Sequence, residues 1–326
     1  MMMKKILITG AAGFIGYHVS EKLLKDNYYI IGIDNLNDYY DPSLKKARLG
    51  RLNELSNFEF HRIDFTKNNE LQPIFENNQI DQVVHLGAQA GVRYSISNPQ
   101  FYIDTNISGF LKILENSRKY KIQNIIYASS SSIYGNNQKM PFSEHDKTDQ
   151  QISMYGVSKK TNEMMAHTYS SLYKLKTVGL RFFTVYGPWG RPDMALYIFT
   201  KAIIEDKRID LFNNGDHTRS FTYIDDITEP IHRLIKINLG KKNEMPINEI
   251  FNIGGSKPVK LLRMIDIIEN YIGKKAKINL KPMQQGDVKK TNADIDKLEK
   301  ITGYGPQTNI EEGIKRFIDW YLNYHQ

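Results

Sequence analysis

A short β-prone run, Ile6-Leu7-Ile8-Thr9, leads directly into Gly10-Ala11-Ala12-Gly13-Phe14-Ile15-Gly16, and a helical pattern carrying Val19, Leu23 and Leu24 follows at once. Few folds accommodate a glycine triad between a strand and a helix. Glycines let the chain reverse tightly and let the backbone approach a ligand, while the helix N-terminus offers amide donors and a positive dipole end to a pyrophosphate. The spacing GxxGxxG is one residue wider than the commonest dinucleotide fingerprint. The next apolar run, Tyr29 to Ile33, ends in Asp34. A carboxylate there receives the adenosine ribose hydroxyls and repels a 2′-phosphate, which selects NAD over NADP. The competing reading of the triad is a tight strand-to-helix turn that holds no ligand.

The rest of the first half keeps the same alternation. Val83 to Leu86, Ile125 to Ala128 and Thr177 to Leu180 read as strands, and between them lie helical spacings such as Ile107, Phe110, Leu111 and Leu114. Alternation of this kind builds βαβ units and a parallel sheet with helices on both faces. The expected fold class is α/β, a doubly wound parallel Rossmann sheet with a smaller, mixed C-terminal substrate domain. The expected division is 1–184 for the NAD-binding domain, with a return of the chain to it around 220–255, and 185–326 for the substrate domain. Phe251 to Gly255 reads as one more strand and turn, and Ile310 to Tyr324 as an amphipathic helix.

Composition removes several function classes. The formal net charge of +8 raises the possibility of nucleic acid, but the lysines come as scattered pairs with no long basic run, so an anionic small molecule is the better match. The chain has no cysteine, which excludes disulfides and thiolate chemistry, and its 8 scattered histidines form no close HxH or HxxxH pair, so no metal site is expected. No apolar run reaches membrane-spanning length. The start Met1-Met2-Met3-Lys4-Lys5 enters the first strand directly, so no signal peptide is expected and a cytoplasmic location fits.

The fourth strand pattern ends in four hydroxyls, Ser129-Ser130-Ser131-Ser132, without a charge. Alone this reads as a serine-rich turn. About 25 residues on, Tyr155 and Lys159 stand four apart at the start of a helix, so both side chains share one face. An ammonium beside a phenol favours the phenolate and turns a poor base into a usable one.

Glycine triad, serine-rich strand end and YxxxK together resemble the extended short-chain dehydrogenase/reductase family over nearly the whole chain. Within it, DNLNDYYDPSLKKARL (Asp34 to Leu49), HLGAQAGVRYSISNP (His85 to Pro99), RFFTVYGPWGRPDMA (Arg181 to Ala195) and RSFTYIDDI (Arg219 to Ile227) resemble nucleotide-sugar 4-epimerases, above all UDP-glucuronate 4-epimerases. The resemblance implies 4-epimerisation of a UDP-sugar through a transient 4-keto intermediate, most closely UDP-glucuronate to UDP-galacturonate, with NAD recycled internally. Tyr155 would be the base, Lys159 its partner, and Ser130 and Ser132 the hydroxyls that polarise the reacting oxygen. Ser129 and Ser131 remain strand-end hydrogen-bonders. Related dehydratases and decarboxylases carry acids in this segment, so SSSS points to simple oxidation and re-reduction.

By the same resemblance, Gly10, Gly13, Phe14, Ile15, Gly16, Asp34, Asn35, Asp64, Leu86, Ala88 and Gln89 contact NAD together with Tyr155 and Lys159. Arg219 grips the diphosphate and Asp287 the uridine ribose. Oxidising glucuronate at carbon 4 makes a β-keto acid that loses carbon dioxide readily, so an epimerase must hold the carboxylate away from the reactive alignment. Arg191 is the first candidate holder, with Thr184 in support and Arg93 as rival. Thr184 and Gln284 stand where galactose-type epimerases carry other residues, which favours the uronate branch. A homodimer through the helices near Phe101 and Tyr155 is implied as well. His85 reads as a core residue. Two alternatives stay open: an epimerase of UDP-glucose or UDP-N-acetylglucosamine, and a non-catalytic NAD-binding relative.

Overall fold

A computed structural model describes residues 3–239, 248–255 and 257–325. The chain divides into two compact units. The first comprises residues 1–137, 146–182 and 228–251; the second comprises 138–145, 183–227 and 252–326. Of the expected return around 220–255, residues 240–247 lie outside the described residues.

The first unit is built on six strands in chain order, β1 (Lys5–Thr9), β2 (Tyr29–Asp34), β3 (Phe58–Arg62), β4 (Gln82–His85), β5 (Asn124–Ser130) and β6 (Lys176–Phe182). They pair in parallel in the order β3-β2-β1-β4-β5-β6. A seventh strand, Asn248–Ile253, adds to the β6 edge. This is the doubly wound order, whose direction reverses between β1 and β4 and opens a crevice at the carboxyl ends of those strands. Ile6, Leu7, Ile8, Val83, Val84, Ile125 and Ile126 are fully buried, as central parallel strands covered on both faces require.

The helices of this unit are α1 (Phe14–Lys25), α2 (Ser43–Asn53), α3 (Asn68–Asn77), α4 (Val92–Ser97), α5 (Pro99–Tyr102), α6 (Gly109–Lys119) and α7 (Met154–Tyr173), with most of a further helix, Asp225–Leu239. A π-helical turn, Ile103–Ser108, joins α5 to α6. One cluster seats Leu71, Ile74 and Phe75 of α3 and Phe110, Ile113 and Leu114 of α6 against Leu7, Val83 and Ile125 of the sheet.

Two local expectations change. The serines do not follow the strand: Ser129 and Ser130 are its last residues, and Ser131–Tyr134 is a 3₁₀ turn capped by the Ser130 side chain. The strand expected at Phe251 begins at Asn248. The tail helix is Ile310–His325, as its amphipathic spacing predicts within a residue.

The second unit contains three two-stranded pairings and the helices Ala195–Ile204, Leu261–Ile272, Asp296–Thr302 and Ile310–His325. Among the described residues no helix is long and apolar enough to cross a membrane. No cluster of three or more His, Asp or Glu side chains able to hold a metal ion occurs among them.

Candidate active site

At the end of β1 the backbone turns at Gly10 with φ 70°, in the left-handed region. A Cβ on Gly10 would lie 2.8 Å from the Cα of Gly87, just beyond β4. The two segments therefore touch by bare backbone at the point where the strand order reverses. No side chain caps the first turn of α1 and no acid lies in it, so its amide donors and dipole favour an anion. Gly13 sits at the N-cap, Phe14 and Gly16 are buried, and Ile15 is half-buried.

Asp34 ends β2 as expected. Its carboxylate accepts the backbone N–H of Ala12 at 3.2 Å and of Leu36 at 2.9 Å. Burial raises its pKa, opposed by the Lys45 ammonium, the two amides and Arg48. Asn35 donates to Asp64 at 3.3 Å, and Thr66 donates through both its N–H and its hydroxyl. Burial pushes the Asp64 carboxyl up, but these bonds outweigh it and the net pKa is lowered. Leu86 donates its N–H to Thr9 O at 3.2 Å, and Ala88 is half-buried. Gln89 is buried and held through its backbone on both sides by Asn106. A backbone cradle that a Cβ would fill, an acid-free helix start and a carboxylate at the second strand fit a dinucleotide.

Sequence reading missed several residues here. Arg48 is fully buried and donates to Ala12 O and to Tyr40 Oη, both at 2.9 Å. Lys45 is buried beside it and donates to Asn37 O at 2.8 Å and Asn37 Oδ1 at 2.7 Å. Their signal was present: residues 44, 45, 48, 49 and 52 make one helical face, so both cations point inward with the leucines. Gly87 lies within the stretch His85 to Pro99, but nothing local marks it as the point of close approach to Gly10. Asn106 sits in the π-helical turn, where it also donates to Ser158 Oγ at 3.0 Å, while Asn162 donates to its carbonyl at 2.7 Å. Such turns frequently mark functional sites.

At the reacting end, β5 and α7 meet. Ser153 caps α7 by accepting the Gly156 N–H at 3.1 Å. A Cβ on Gly156 would lie 2.5 Å from Gln151 Oε1 and 2.9 Å from Ser132 O. Only glycine lets the helix start, with Tyr155, come this close to the turn that carries Ser132. Tyr155 is half-buried, with its ring edge-on to Tyr102 at 6.0 Å. One turn on, Lys159 is 2% exposed and donates to Ala128 O at 2.9 Å. Burial lowers its pKa from 10.5 to about 8. Ser130 is buried and its hydroxyl accepts the Ser132 N–H at 3.1 Å. The first unit thus brings Tyr155, Lys159, Ser130 and Ser132 to one end of β5. Ser129 faces a different partner, donating to Glu163 Oε1 at 2.6 Å. His85 is buried, its Nδ1 2.8 Å from Thr9 Oγ1 and its ring stacked on Phe110. Burial, then the Lys159 charge, lower its pKa to about 3, so it is a neutral core residue.

The remaining expected residues separate by unit. Arg93 is exposed on α4 of the first unit. Thr184 lies in the second, half-buried at the start of the short strand Thr184–Tyr186 and paired with Phe221. Arg191 is engaged in a fork with Asp193, Nε to Oδ1 at 3.0 Å and an η-nitrogen to Oδ2 at 2.5 Å. Arg219 and Asp287, 68 residues apart, are joined at 2.9 Å. Buried His217 approaches Asp287 Oδ2 at 3.3 Å. Burial raises the Asp287 pKa, but the His217 bond and the Arg219 charge prevail and lower it.

The family model described as GDP-mannose 4,6 dehydratase matches residues 7–317. The chain is 50% identical over 333 residues to Protein CapI of Staphylococcus aureus, covering 99% of each. It is 45% identical to UDP-glucuronate 4-epimerase 4 of Arabidopsis thaliana, covering 98% of this chain and 76% of that protein. Its fold is similar to the crystal structure of UDP-glucuronic acid 4-epimerase from Bacillus cereus in complex with UDP-glucuronic acid and NAD. The TM-score is 0.91 at 36% identity, covering 98% of this chain and 99% of that one.

Proposed function

The chain belongs to the GDP-mannose 4,6 dehydratase family of extended short-chain dehydrogenases/reductases, and from that premise we propose that it is an NAD-using 4-epimerase acting on UDP-glucuronate. The observation that carries this reading is the cluster at the end of β5. There the helix start that carries a tyrosine and a buried lysine one turn apart lies against the turn that carries Ser130 and Ser132, with no acid in the Ser129–Ser132 segment.

NAD held in the cradle of Gly10 and α1 would supply a reversible hydride acceptor for carbon 4 of the sugar, and inversion requires the oxidised sugar to turn its other face to it. The chain's own residues do the rest. Tyr155 accepts the proton of the 4-hydroxyl and gives it back. Lys159 keeps positive charge beside the phenol, which favours the phenolate. Ser130 and Ser132 donate to the oxygen as it becomes a carbonyl. Asp34 receives the adenosine ribose, with Lys45 and Arg48 holding the surrounding loop, and the Gly10 turn and start of α1 receive the pyrophosphate. Arg219 faces the substrate diphosphate and Asp287 the uridine ribose. Arg191 receives the uronate carboxylate in a bidentate fork, exchanging it for Asp193.

Exposed Phe101, Leu111, Met164 and Leu172 on α5, α6 and α7 support a homodimer through these helices, to be read by light scattering. The test of function is incubation of purified protein with UDP-glucuronate, UDP-glucose and UDP-N-acetylglucosamine without added reductant, followed by product separation. UDP-galacturonate is expected. Conversion of UDP-glucose alone replaces the substrate assignment with the neutral-sugar reading, and no conversion of any of the three overturns epimerisation.

A further inference from the structure

Behind the reacting cluster lies a buried polar network on side chains that the chemistry above does not use. Glu163, one turn beyond Lys159 on α7, accepts Ser129 Oγ at 2.6 Å and Arg181 Nε at 2.9 Å through Oε1, and an Arg181 η-nitrogen at 2.9 Å through Oε2. Arg181 also donates to Tyr134 Oη at 2.9 Å, and its guanidinium lies 5.1 Å from the Tyr134 ring centre. Ser129, Glu163, Arg181 and Tyr134 are exposed by 1, 7, 4 and 2%. Ser129 and Arg181 are direct register partners across β5 and β6.

Three of the four members are a short covalent step from a group at the reacting cluster, and Arg181 joins them from β6. Ser129 precedes Ser130 and follows Ala128, whose carbonyl anchors Lys159. Glu163 follows Lys159 by four residues, and Tyr134 follows Ser132 by two. Lys159 and Glu163 lie on one face of the helix and bind consecutive residues of one strand. Two such ties, one turn apart, fix both the rotation and the axial position of α7 against β5. The Arg181–Tyr134 bond ties the 3₁₀ turn to the same frame. Apolar packing would hold the helix against the sheet but would permit sliding, because it has no preferred angle, whereas hydrogen bonds weaken steeply off axis. A buried ion pair is also a poor source of net stability compared with apolar residues of the same volume.

We propose that Glu163, Arg181, Ser129 and Tyr134 are positioning residues that set the geometry among Tyr155, Lys159 and Ser130; this rests on the catalytic roles given above. The tests are Ser129→Ala, which deletes one hydroxyl, and the paired change Glu163→Leu with Arg181→Met, which removes both charges without leaving one unpaired. A displacement of about 1 Å in a catalytic group costs up to roughly 100-fold in rate. Both variants should therefore lose about 10- to 100-fold in kcat, keep KM within about two-fold, and melt within a few degrees of the parent. Parental kcat in either variant overturns the proposal. So does a rate loss that tracks an equal loss of melting temperature or appears in KM alone. Tyr155→Phe is run alongside: if that variant still turns over, the catalytic reading itself has failed, whereas an inactive Tyr155→Phe beside a fully active Ser129→Ala removes only the positioning role.

Discussion

Replacing Lys159 with methionine should make the protein more stable at neutral pH and inactive. The side chain is 2% exposed, and burial alone takes its pKa from 10.5 down to about 8. At roughly 1.4 kcal/mol for each factor of ten in proton affinity, that drop corresponds to about 3 kcal/mol. The sign follows from linkage. Between about pH 8 and 10.5 the unfolded chain holds a proton on this lysine that the folded chain has released, so the parent gains stability as pH rises. Below pH 8 the folded protein carries the whole cost of a buried ammonium. Methionine fills similar volume without charge, but leaves Ala128 O without the charged bond it receives from Lys159, a loss of about 1.5 kcal/mol at the low end. The variant should thus be about 1.5 kcal/mol more stable than the parent at pH 7, and that advantage should vanish by about pH 9.5. The assay is urea unfolding of nucleotide-free parent and Lys159→Met at several pH values between 7 and 10, comparing their difference so that other titrating groups cancel. A difference that stays constant across this range would refute the assignment of the shift to Lys159.

Tyr155→Phe removes the proton acceptor and keeps the ring, so turnover should fall at least ~100-fold while calorimetry finds the substrate Kd little changed; near-normal epimerisation would reassign the base. Asp34→Ala leaves Lys45 and Arg48 facing the adenosine end without their carboxylate, so preference for NAD over NADP should shrink by at least about ten-fold in a binding titration. Equal affinity for both cofactors in the parent would remove Asp34 from that role. A charged hydrogen bond is worth about 1.5–3 kcal/mol, so Arg191→Ala should lose on the order of ten- to a hundred-fold in kcat/KM on UDP-glucuronate and far less on UDP-glucose, with a UDP-pentose among the products. Equal losses on both sugars would leave Arg191 only its observed pairing with Asp193.

What could be read in the sequence was whatever depends on local periodicity and short spacing. The apolar runs of β1, β4 and β5 are continuous because both faces of the sheet are covered, and the order of elements followed from their alternation with helices. Gly10, Asp34, Tyr155 and Lys159 were legible as candidates because the chemistry proposed for them needs a fixed distance along the chain. Gly87 and Gly156 were not, since the reason each must be glycine is a neighbour brought by folding, the Gly10 backbone in one case and Ser132 O in the other. Arg48, Glu163 and Arg181 were passed over for a related reason. A charged residue on a helix face or at a strand end is ordinarily solvated, and only the partner across the fold shows that it is buried.

Arg181 shows how much such a residue can carry. It stands in a strand whose other residues from Thr177 to Phe182 are all buried, and an unpaired guanidinium there would be intolerable. The only low-cost solution is a carboxylate delivered from outside the sheet, and α7 delivers it one turn after the lysine that the chemistry needs. The same pairing that satisfies a buried charge therefore fixes the helix carrying Tyr155 and Lys159. Lys159 itself bears a desolvation cost of the opposite kind, since burial lowers its pKa with no offsetting charge. The destabilising cation lies within the reacting cluster and the paired one lies behind it, tied to the same helix. This arrangement predicts that the two are told apart by stability: changes at Lys159 abolish turnover and alter the pH dependence of stability, while changes at Ser129 or the Glu163–Arg181 pair lower kcat without that signature.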